Sequence, residues 1–476
     1  MRVRLMCSLL IIAATGCAAR APLSPAPAPL AFDDAADRLI RRGCYRCLEQ
    51  AFEQAQSAGA RLQAFEAATL LTLRSKELGL PSDPWLERAR TLAGADPSLT
   101  AYLDMVDVIP PDRLSEDRDA LFDIRRRNRA RESLEAWRAQ LRAGAGAGAF
   151  RAYLDLSLIC AFGTLKETPD SFSANVEPSA LTPLFQYGLG ACDAAQGPRL
   201  SALRTSDPDF VDADYPLGRY ALEDPVNPNA EESLARFESA ARAFPRSPAI
   251  TTRIGNLYRL WEDWAPALVA YDAALAVAPH HPEATIGRAI SLSRLERSEE
   301  AIETVTRLID EGQWLLGEAY YWRAWNHLRL NRLSLARADA DRARTLMSNS
   351  AVLVLSGVIE WRLERLESAE KDFVDALTID LGECEAAFDL GVVRDQLRKP
   401  SEALAAFSQA GQCYDLSIAL RREAIDKIRK GNGTETLKAR DSARHERVLA
   451  ELNERRDEVT RIVAGRETPG RPSLVP

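Results

Sequence analysis

Residues 254–279 read IGNLYRLWEDWAPALVAYDAALAVAP, and this stretch decides the fold. Its small residues Gly255, Ala267 and Ala274 stand three or four positions from the bulky residues Tyr258 and Tyr271. Two helices that cross closely need small residues at their contact, with a bulky neighbour filling the gap between turns. The stretch therefore predicts two antiparallel helices joined by a short turn.

The second half of this pattern recurs along the chain with a period near 34 residues. A small residue is followed at the fourth position by an aromatic or apolar residue, and at the seventh by another small or apolar one. The blocks are Ser233/Phe237/Ala240, Ala267/Tyr271/Ala274, Ala301/Val305/Leu308, Ala336/Ala340/Ala343, Ala369/Phe373/Ala376 and Ala403/Phe407/Ala410. Their starting positions advance by 34, 34, 35, 33 and 34 residues. Such self-similarity predicts an array of helix-turn-helix units.

The repeat resembles that of the tetratricopeptide repeat (TPR) family. Most of the family signature is met by the unit with Gly255, Tyr258, Ala267, Tyr271, Ala274 and Pro279. The resemblance covers roughly residues 214–417, as about six repeats. It implies an all-α solenoid of stacked helix pairs, wound as a right-handed superhelix whose concave face binds peptides or protein segments. The signature describes packing, so it implies a scaffold and no chemistry.

Helical periodicity continues on both sides of the repeats. We interpret residues 33–198 as a helical region of degenerate repeats, and the Asp- and Pro-rich segment 199–230 as a loop that overlaps the first weak repeat. After the repeats we predict a capping helix at 418–430, a highly charged C-terminal helix at 434–465 and a flexible tail at 466–476. Two interpretations of the charged helix stay open: a solvated terminal helix, or one that contacts a partner or self-associates.

The N-terminus has the pattern of an export signal. Two arginines precede an apolar stretch that is too short to span a bilayer as a stable helix. Residues 14–17, Ala-Thr-Gly-Cys, resemble a bacterial lipobox, so we predict a signal peptide at 1–16, lipidation of Cys17 and a Pro/Ala-rich tether at 17–32. The resemblance implies an outer-membrane lipoprotein facing the periplasm. A soluble periplasmic or inner-membrane-anchored protein is the alternative.

Composition and motifs argue against two classes of function. The chain has 61 Lys and Arg against 69 Asp and Glu, a formal net charge of -8, whereas binding to nucleic acid needs a basic surface. Of the four histidines, His280, His281, His327 and His445, the adjacent pair has no cysteine or carboxylate at metal-ligand spacing. The sequence also lacks the common hydrolase, metalloprotease and phosphate-loop motifs. We therefore predict a non-catalytic protein without nucleic acid, metal or cofactor.

Six cysteines follow the predicted lipidation site, and their even number in an exported chain indicates disulfides. Sequence order offers three natural pairs: Cys44 with Cys47, Cys160 with Cys192, and Cys384 with Cys413. Cys384 and Cys413 open and close one repeat, so an antiparallel helix pair brings them side by side. Cys44 and Cys47 have the spacing of a thiol-redox motif. We favour a structural disulfide there, with a redox-active pair as the alternative.

Arginines recur at the predicted ends of the first helices: Arg259, Arg294, Arg329 and Arg362. The TPR resemblance places these positions on or beside the concave groove, together with Asn256, Tyr321, Trp325, Trp361 and Phe388. In one interpretation each arginine complements the negative end of its own helix and pairs with a nearby Glu262, Glu296 or Glu364. In the other, the arginines and their aromatic neighbours form a ladder that binds acidic peptides or C-terminal carboxylates.

The predicted function is that of an envelope-located TPR scaffold that binds a protein or peptide partner on its concave face. The alternative is a glycan- or solute-binding lipoprotein with a pocket at the 196–230 loop. A glycan site needs aromatic platforms. The tryptophans that keep this alternative open are Trp261, Trp264, Trp314, Trp322, Trp325 and Trp361.

Overall fold

The computed structural model describes residues 31–110, 133–142, 148–162, 182–192, 194–223, 229–312, 315–431, 434–465 and 467–470. Every regular element in these residues is an α-helix or a short 3-10 helix, which confirms the predicted all-α class. None of the helices described combines the length and apolarity that crossing a bilayer requires. The predicted signal peptide, Cys17, nearly all of the tether and most of the predicted tail lie outside the described residues.

Short helices build the N-terminal region. Asp33 caps the first of them by accepting the main-chain N–H of Ala36, and Gly43 ends it in the left-handed conformation. The helices are α1 (Asp34–Arg42), α2 (Tyr45–Ser57), α3 (Arg61–Glu77), α4 (Asp83–Ala93), α5 (Pro97–Val108), α6 (Ala149–Phe162), α7 (Pro183–Cys192) and α8 (Gly197–Ser206). A further helical stretch occupies 133–142. Their apolar faces meet in one large core.

Six helix pairs follow within the described residues, and they form the predicted TPR-type helix-turn-helix solenoid. The pairs are α9/α10 (Asp214–Glu223, Ala230–Ala243), α11/α12 (Pro248–Leu260, Trp264–Val277), α13/α14 (Pro282–Arg294, Ser298–Asp310), α15/α16 (Leu316–Arg329, Leu333–Leu346), α17/α18 (Ser350–Arg362, Leu366–Ile379) and α19/α20 (Cys384–Gln396, Pro400–Lys430). Each helix packs mainly against its neighbours in sequence, as in other repeat arrays. One more helix, α21 (Glu435–Val463), follows the last pair.

The predicted contact between small and bulky residues holds the two helices of a pair together. A Cβ atom added to Gly255 would lie 2.7 Å from the Tyr271 ring, and one added to Gly391 would lie 2.6 Å from the Phe407 ring. No side chain larger than hydrogen fits at that separation without moving the ring. The glycines therefore set the close crossing of the helices.

The same turn connects the two helices of each pair from α11/α12 to α19/α20, although the residue type at its positive-φ position varies. Five residues have positive φ angles of 57° to 62°: Glu262, Glu296, Asn331, Glu364 and Arg398. The next main-chain N–H then bonds back to the carbonyl five residues earlier, as Asp263 does to Tyr258 at 2.9 Å. This is the Schellman arrangement that ends a helix. The turns recur at the same register as the repeat, so they fix where every second helix begins.

Segment 199–230, predicted as a loop, is largely helical where it is described, because α8 and α9 occupy most of it. Its prolines suggested breaks. However, Pro216 lies in the first turn of α9, and Pro198, just before the segment, lies in the first turn of α8. In a first turn the N–H that proline lacks has no helical partner. The prediction of a loop was therefore wrong for these residues, while 224–228 lie outside the described part.

No boundary separates the last repeat from the predicted capping helix at 418–430. Pro400–Lys430 is one continuous helix of 31 residues. The chain has no glycine or proline between Cys413 and Lys430, so no residue ends the helix where the repeat pattern ends. The predicted cap is thus the second half of α20, and it buries Ile418 and Ile425.

A buried ion pair joins the N-terminal region to the start of the repeats. Arg74 on α3 contacts Asp212, and their side chains are 0% and 1% exposed. Asp212 also accepts the main-chain N–H of Tyr45 at 3.0 Å. The Arg74 guanidinium lies 3.3 Å from the centre of the Tyr187 ring. The Arg74–Asp212 pair therefore joins α2, α3, α7 and the segment before α9.

The six cysteines that follow the predicted lipidation site form three disulfides: Cys44–Cys47, Cys160–Cys192 and Cys384–Cys413. Cys384–Cys413 links the start of α19 to the middle of α20, the two helices of one pair. Cys44 and Cys47 are each 1% exposed. A redox-active pair must be reached by its substrate, so this burial favours a structural role for the Cys44–Cys47 bond.

Candidate partner-binding groove

The inner face of the solenoid is formed by the first helix of each pair. Consecutive first helices contact one another, α11 with α13, α13 with α15, α15 with α17 and α17 with α19, whereas consecutive second helices have fewer contacts. In a curved stack, the elements of the inner layer lie closer together than those of the outer layer. The first helices therefore line the concave face.

Two of the predicted arginines reach back to the preceding helix pair. Nη1 of Arg329 donates to the carbonyl of Ser293 at 2.8 Å, and its Nη2 lies 3.6 Å from Glu296. Nη2 of Arg362 donates to Oδ1 of Asn331 at 3.0 Å. Each arginine thus contacts the end of the previous first helix, where the partial charge is negative. One interpretation of the sequence paired each arginine with its own helix end and with a nearby glutamate; Arg329 does approach Glu296, but both arginines contact the preceding helix pair and not their own helix end.

Arg294 differs from the other arginines in this row. Its guanidinium carbon lies 5.8 Å from the ring centres of both Trp264 and Trp325. Its Nε and the Nε1 of Trp325 are buried and have no hydrogen-bond partner in the described structure. Burial lowers the pKa of Arg294 and raises the pKa of the neighbouring Tyr321 to about 12. Arg294 therefore differs from Arg329 and Arg362 in that aromatic rings, and not main-chain or side-chain oxygens, surround its guanidinium.

Other predicted groove residues are engaged inside the protein. Asn256 donates to Glu283 at 2.8 Å and accepts the hydroxyl of Tyr271 at 2.6 Å. Trp361 donates through Nε1 to a side-chain oxygen of the next helix pair at 2.9 Å. Arg259 is exposed. The structure therefore uses Asn256 and Trp361 to link helices, whereas Arg259 is exposed and Arg294 is half-buried.

The N-terminal half of α21 lies against the turn between α11 and α12. Arg440 forms an ion pair with Asp263, and its guanidinium lies 4.0 Å from the centre of the Trp261 ring. Nη1 of Arg444 donates to the carbonyl of Leu260 at 2.5 Å. The carbonyls at the end of a helix carry partial negative charge, so the arginines of α21 meet a surface of complementary charge.

The C-terminal half of α21 lies against the last helix pair. Val459 and Ile462 are 3% and 9% exposed and belong to the apolar core of the last repeats. Arg455 lies 5.2 Å from the centre of the Phe388 ring and 3.6 Å from Glu385. Phe388 is 0% exposed, so the ring predicted to face a partner is instead covered by the protein itself. A helix of 29 residues is about 43 Å long, and α21 reaches from the turn of the second helix pair to the sixth pair while it packs along the second half of α20.

A separate cleft of about 650 Å³ lies where the N-terminal region meets the first helix pairs. Asp209 and Val211 from the 199–230 segment contribute to its wall, beside the rings of Tyr45, Trp85 and Phe244. The glycan- or solute-binding alternative placed a pocket at this segment. The arginines around the cleft are Arg46, Arg88, Arg242 and Arg246.

The described residues contain no group of three or more His, Cys, Asp or Glu side chains placed to hold a metal ion. Nδ1 of His280 lies 2.7 Å from Glu311. His327 is buried 3.8 Å from Asp339, and its burial lowers its pKa. These contacts are pairwise links within the repeats.

No protein-family model and no curated protein sequence matches this chain. Among solved structures, a tetratricopeptide repeat protein from Parabacteroides merdae ATCC 43184 is similar at 16% identity, over 63% of this chain and 99% of that one, with a TM-score of 0.33. Yeast Tom70 is similar at 12% identity, over 89% and 91% of the two chains, with a TM-score of 0.36. YrrB, a TPR protein with an unusual peptide-binding site, is similar at 21% identity, over 37% and 91%, with a TM-score of 0.31. These similarities concern the fold alone.

The position of α21 was not among the predictions. Neither interpretation of the charged helix included its contacts with its own chain. One signal was present: Arg440, Arg444 and Arg447 recur at intervals of four and three residues, which places them on one helix face. The acidic surface that they meet lies about 180 residues earlier in the sequence, and helical periodicity contains no information about it.

Proposed function

We propose that this protein is a non-catalytic scaffold that binds a protein segment on the concave face of its solenoid. The observation that carries the proposal is the layer of first helices, whose mutual contacts form the concave face. The arginines of α21 show the chemistry that the repeats offer to a helix, since they contact aromatic rings and carboxylates at the turn of the second helix pair and on the sixth pair. An amphipathic helix lying in a groove is one of the recurring modes of peptide recognition.

Arg294 is the best guide to the chemistry of the partner. Its side chain is only half-buried, and the rings of Trp264 and Trp325 flank its guanidinium. Carboxylates are the acceptors that arginine binds most strongly. We therefore assign an acidic segment or a C-terminal carboxylate to this part of the groove, and Arg329 on the next first helix adds positive charge beside it.

Replacing Arg294 and Arg329 together with alanine is expected to weaken binding of acidic peptides by at least about tenfold, because arginines flanked by aromatic rings often dominate an interface. The measurement is fluorescence anisotropy with labelled acidic peptides that end in a free carboxylate. Helix content, followed by circular dichroism, should stay unchanged.

Arg297→Ala is the matched control for this pair. Arg297 is exposed and forms an ion pair with Glu300 three residues later at 2.6 Å, outside the row of groove arginines. It should bind the peptides as the unmodified protein does. If the double variant also binds normally but melts at a lower temperature, the arginines only link helix ends and the binding surface lies elsewhere. Equal binding of C-terminally amidated peptides would remove the carboxylate from the proposal but keep the acidic segment.

Export and lipid anchoring are proposed from the N-terminal sequence. We infer a lipoprotein that is held in the outer membrane only through Cys17 and that faces the periplasm. Cys17→Ser should therefore release a folded chain into the soluble periplasmic fraction, measured by membrane fractionation and mass spectrometry of the mature N-terminus. An unmodified mature N-terminus at another residue of the native protein would contradict lipidation and favour a soluble periplasmic protein.

A further inference from the structure

The two halves of α21 are attached to the solenoid by different interactions. In the C-terminal half, Val459 and Ile462 are buried in the core of the last repeats. In the N-terminal half, from Glu435 to Arg447, the only buried residue among those described is Ser442. Burial of apolar side chains supplies most of the stability of a packed helix, so the C-terminal half is the anchored one.

Arginines dominate the attachment of the N-terminal half. Arg440 pairs with Asp263, and Arg444 and Arg447 both approach Glu262, at 3.8 Å and 3.4 Å. These ion pairs are partly exposed to solvent, with side-chain exposures between 24% and 61%. Exposed ion pairs contribute little net stability and are screened by salt. The contacts of this half with the second helix pair are therefore weak and salt-sensitive. Its other contacts are with the second half of α20, which it accompanies through Arg421–His445 at 2.9 Å and Arg429–Glu446 at 2.7 Å.

The surface under this half has a defined chemistry. We call it the latch surface: Glu231, Leu260, Trp261, Glu262 and Asp263. It combines three carboxylates, the carbonyl at the end of α11 and an aromatic ring on which a guanidinium lies. Arg440, Arg444 and Arg447 are four and three residues apart and therefore share one face of their helix. That face can meet the carboxylates, the carbonyl and the ring at the same time.

We propose that the N-terminal half of α21 is a displaceable occupant of the latch surface, and that a partner protein presents an arginine-rich amphipathic helix to the same surface. This inference rests on the proposed scaffold function and adds to it the class and the regulation of a second partner contact. In the closed state the chain's own arginines cover the surface. A partner helix with arginines at the same spacing replaces them while Val459 and Ile462 keep α21 attached.

The test uses the full chain and a fluorescein-labelled synthetic peptide of residues 434–450, TETLKARDSARHERVLA. Arg440→Ala with Arg444→Ala removes the two arginines nearest the surface from the covering helix. The peptide should bind this variant at least about tenfold more tightly than the unmodified chain, because the latch surface is then uncovered in a larger fraction of the molecules. High NaCl should weaken that binding. Arg456→Ala is the control, since Arg456 pairs with Asp415 at 2.9 Å in the anchored half; its binding should equal that of the unmodified chain.

A second set of variants identifies the surface. Adding Glu262→Gln and Asp263→Asn to the Arg440/Arg444 variant should abolish the gain in peptide binding. Persistent tight binding would place the peptide elsewhere and overturn the proposal. Equal binding to the unmodified chain and the Arg440/Arg444 variant would also overturn it, as would the absence of binding to either. Dimers of the variant in light scattering would assign the surface to a second copy of this chain and not to a partner.

Main-chain hydrogen exchange on the unmodified chain gives a readout that does not depend on any variant folding. Raising the NaCl concentration should speed exchange at 438–447 and leave 455–463 unchanged. Equal responses of the two halves would contradict the proposed opening. Acidic-peptide binding at Arg294 is measured on the same samples. If that binding persists while peptide 434–450 fails to bind, only the latch is wrong; if the acidic peptide fails and the latch peptide binds, the assignment of Arg294 is wrong.

Discussion

Replacing Arg74 with alanine is expected to lower the free energy of unfolding by about 3–5 kcal/mol, because it leaves a buried carboxylate without its counterion. That carboxylate belongs to Asp212, which is 1% exposed. The substitution also removes the hydrogen bond from Arg74 Nη1 to the carbonyl of Gly43 at 3.2 Å and the contact with the Tyr187 ring. The measurement is equilibrium unfolding in guanidinium chloride, followed by circular dichroism.

Two further variants separate the uncompensated charge from loss of packing. Arg74→Met with Asp212→Asn and Glu77→Gln removes the guanidinium and both buried carboxylates paired with it, and should be clearly more stable than Arg74→Ala, since replacing buried ion pairs by neutral side chains is often tolerated. Arg41→Ala breaks a pair with Asp37 whose side chains are 41% and 30% exposed, and should cost less than about 1 kcal/mol. If Arg74→Ala costs no more than Arg41→Ala, the buried pair does not hold the N-terminal region to the repeats.

Replacing Cys384 and Cys413 together with alanine is expected to lower the free energy of unfolding by about 3 kcal/mol, because the bond restricts the unfolded chain across a separation of 29 residues. The bond also joins the last first helix to α20, which carries the contacts of α21. The measurement is chemical unfolding of the oxidised protein. Thiol labelling of the unfolded, unreduced protein should detect none of the six cysteines.

Cys44→Ala with Cys47→Ala is the matched control for loop length. Its two cysteines are three residues apart, and the same chain-entropy relation gives roughly half the stabilisation for so short a loop. Equal losses in the two double variants would show that packing around the sulfur atoms, and not loop closure, sets their contribution. Six reactive thiols in unreduced periplasmic protein would contradict all three bonds.

The repeat could be predicted from the sequence because its determinants are local. Gly255 and Tyr271, like Gly391 and Phe407, lie 16 residues apart within one helix pair, and their spacing recurs with the period of the fold. Errors arose where one local signal had two structural outcomes. Pro198 and Pro216 start helices as readily as they end them, and the end of the repeat pattern at 417 did not end the helix that carries it.

The candidate site was predicted less well, because exposure depends on what covers a residue. Trp325 and Phe388 lie on first helices, as predicted, but they are 5% and 0% exposed. Arg294 has the same sequence context as Arg329, yet only Arg329 has a carbonyl within reach of its guanidinium. These differences follow from neighbouring repeats and from α21, and periodicity specifies neither.

The sequence by itself determined the helical repeat, its period and the all-α class, because close helix crossing needs small residues at fixed intervals within one unit. Only the tertiary structure decided what the charged residues do. Arg74 meets Asp212 across 138 residues, and Arg444 meets Leu260 across 184. Ion pairs and hydrogen bonds form between groups that are close in space, whatever their separation in sequence. The curvature that brings α21 back to α11 is the sum of small rotations between successive helix pairs. The concave face and the surface that α21 contacts therefore became visible only in the folded chain.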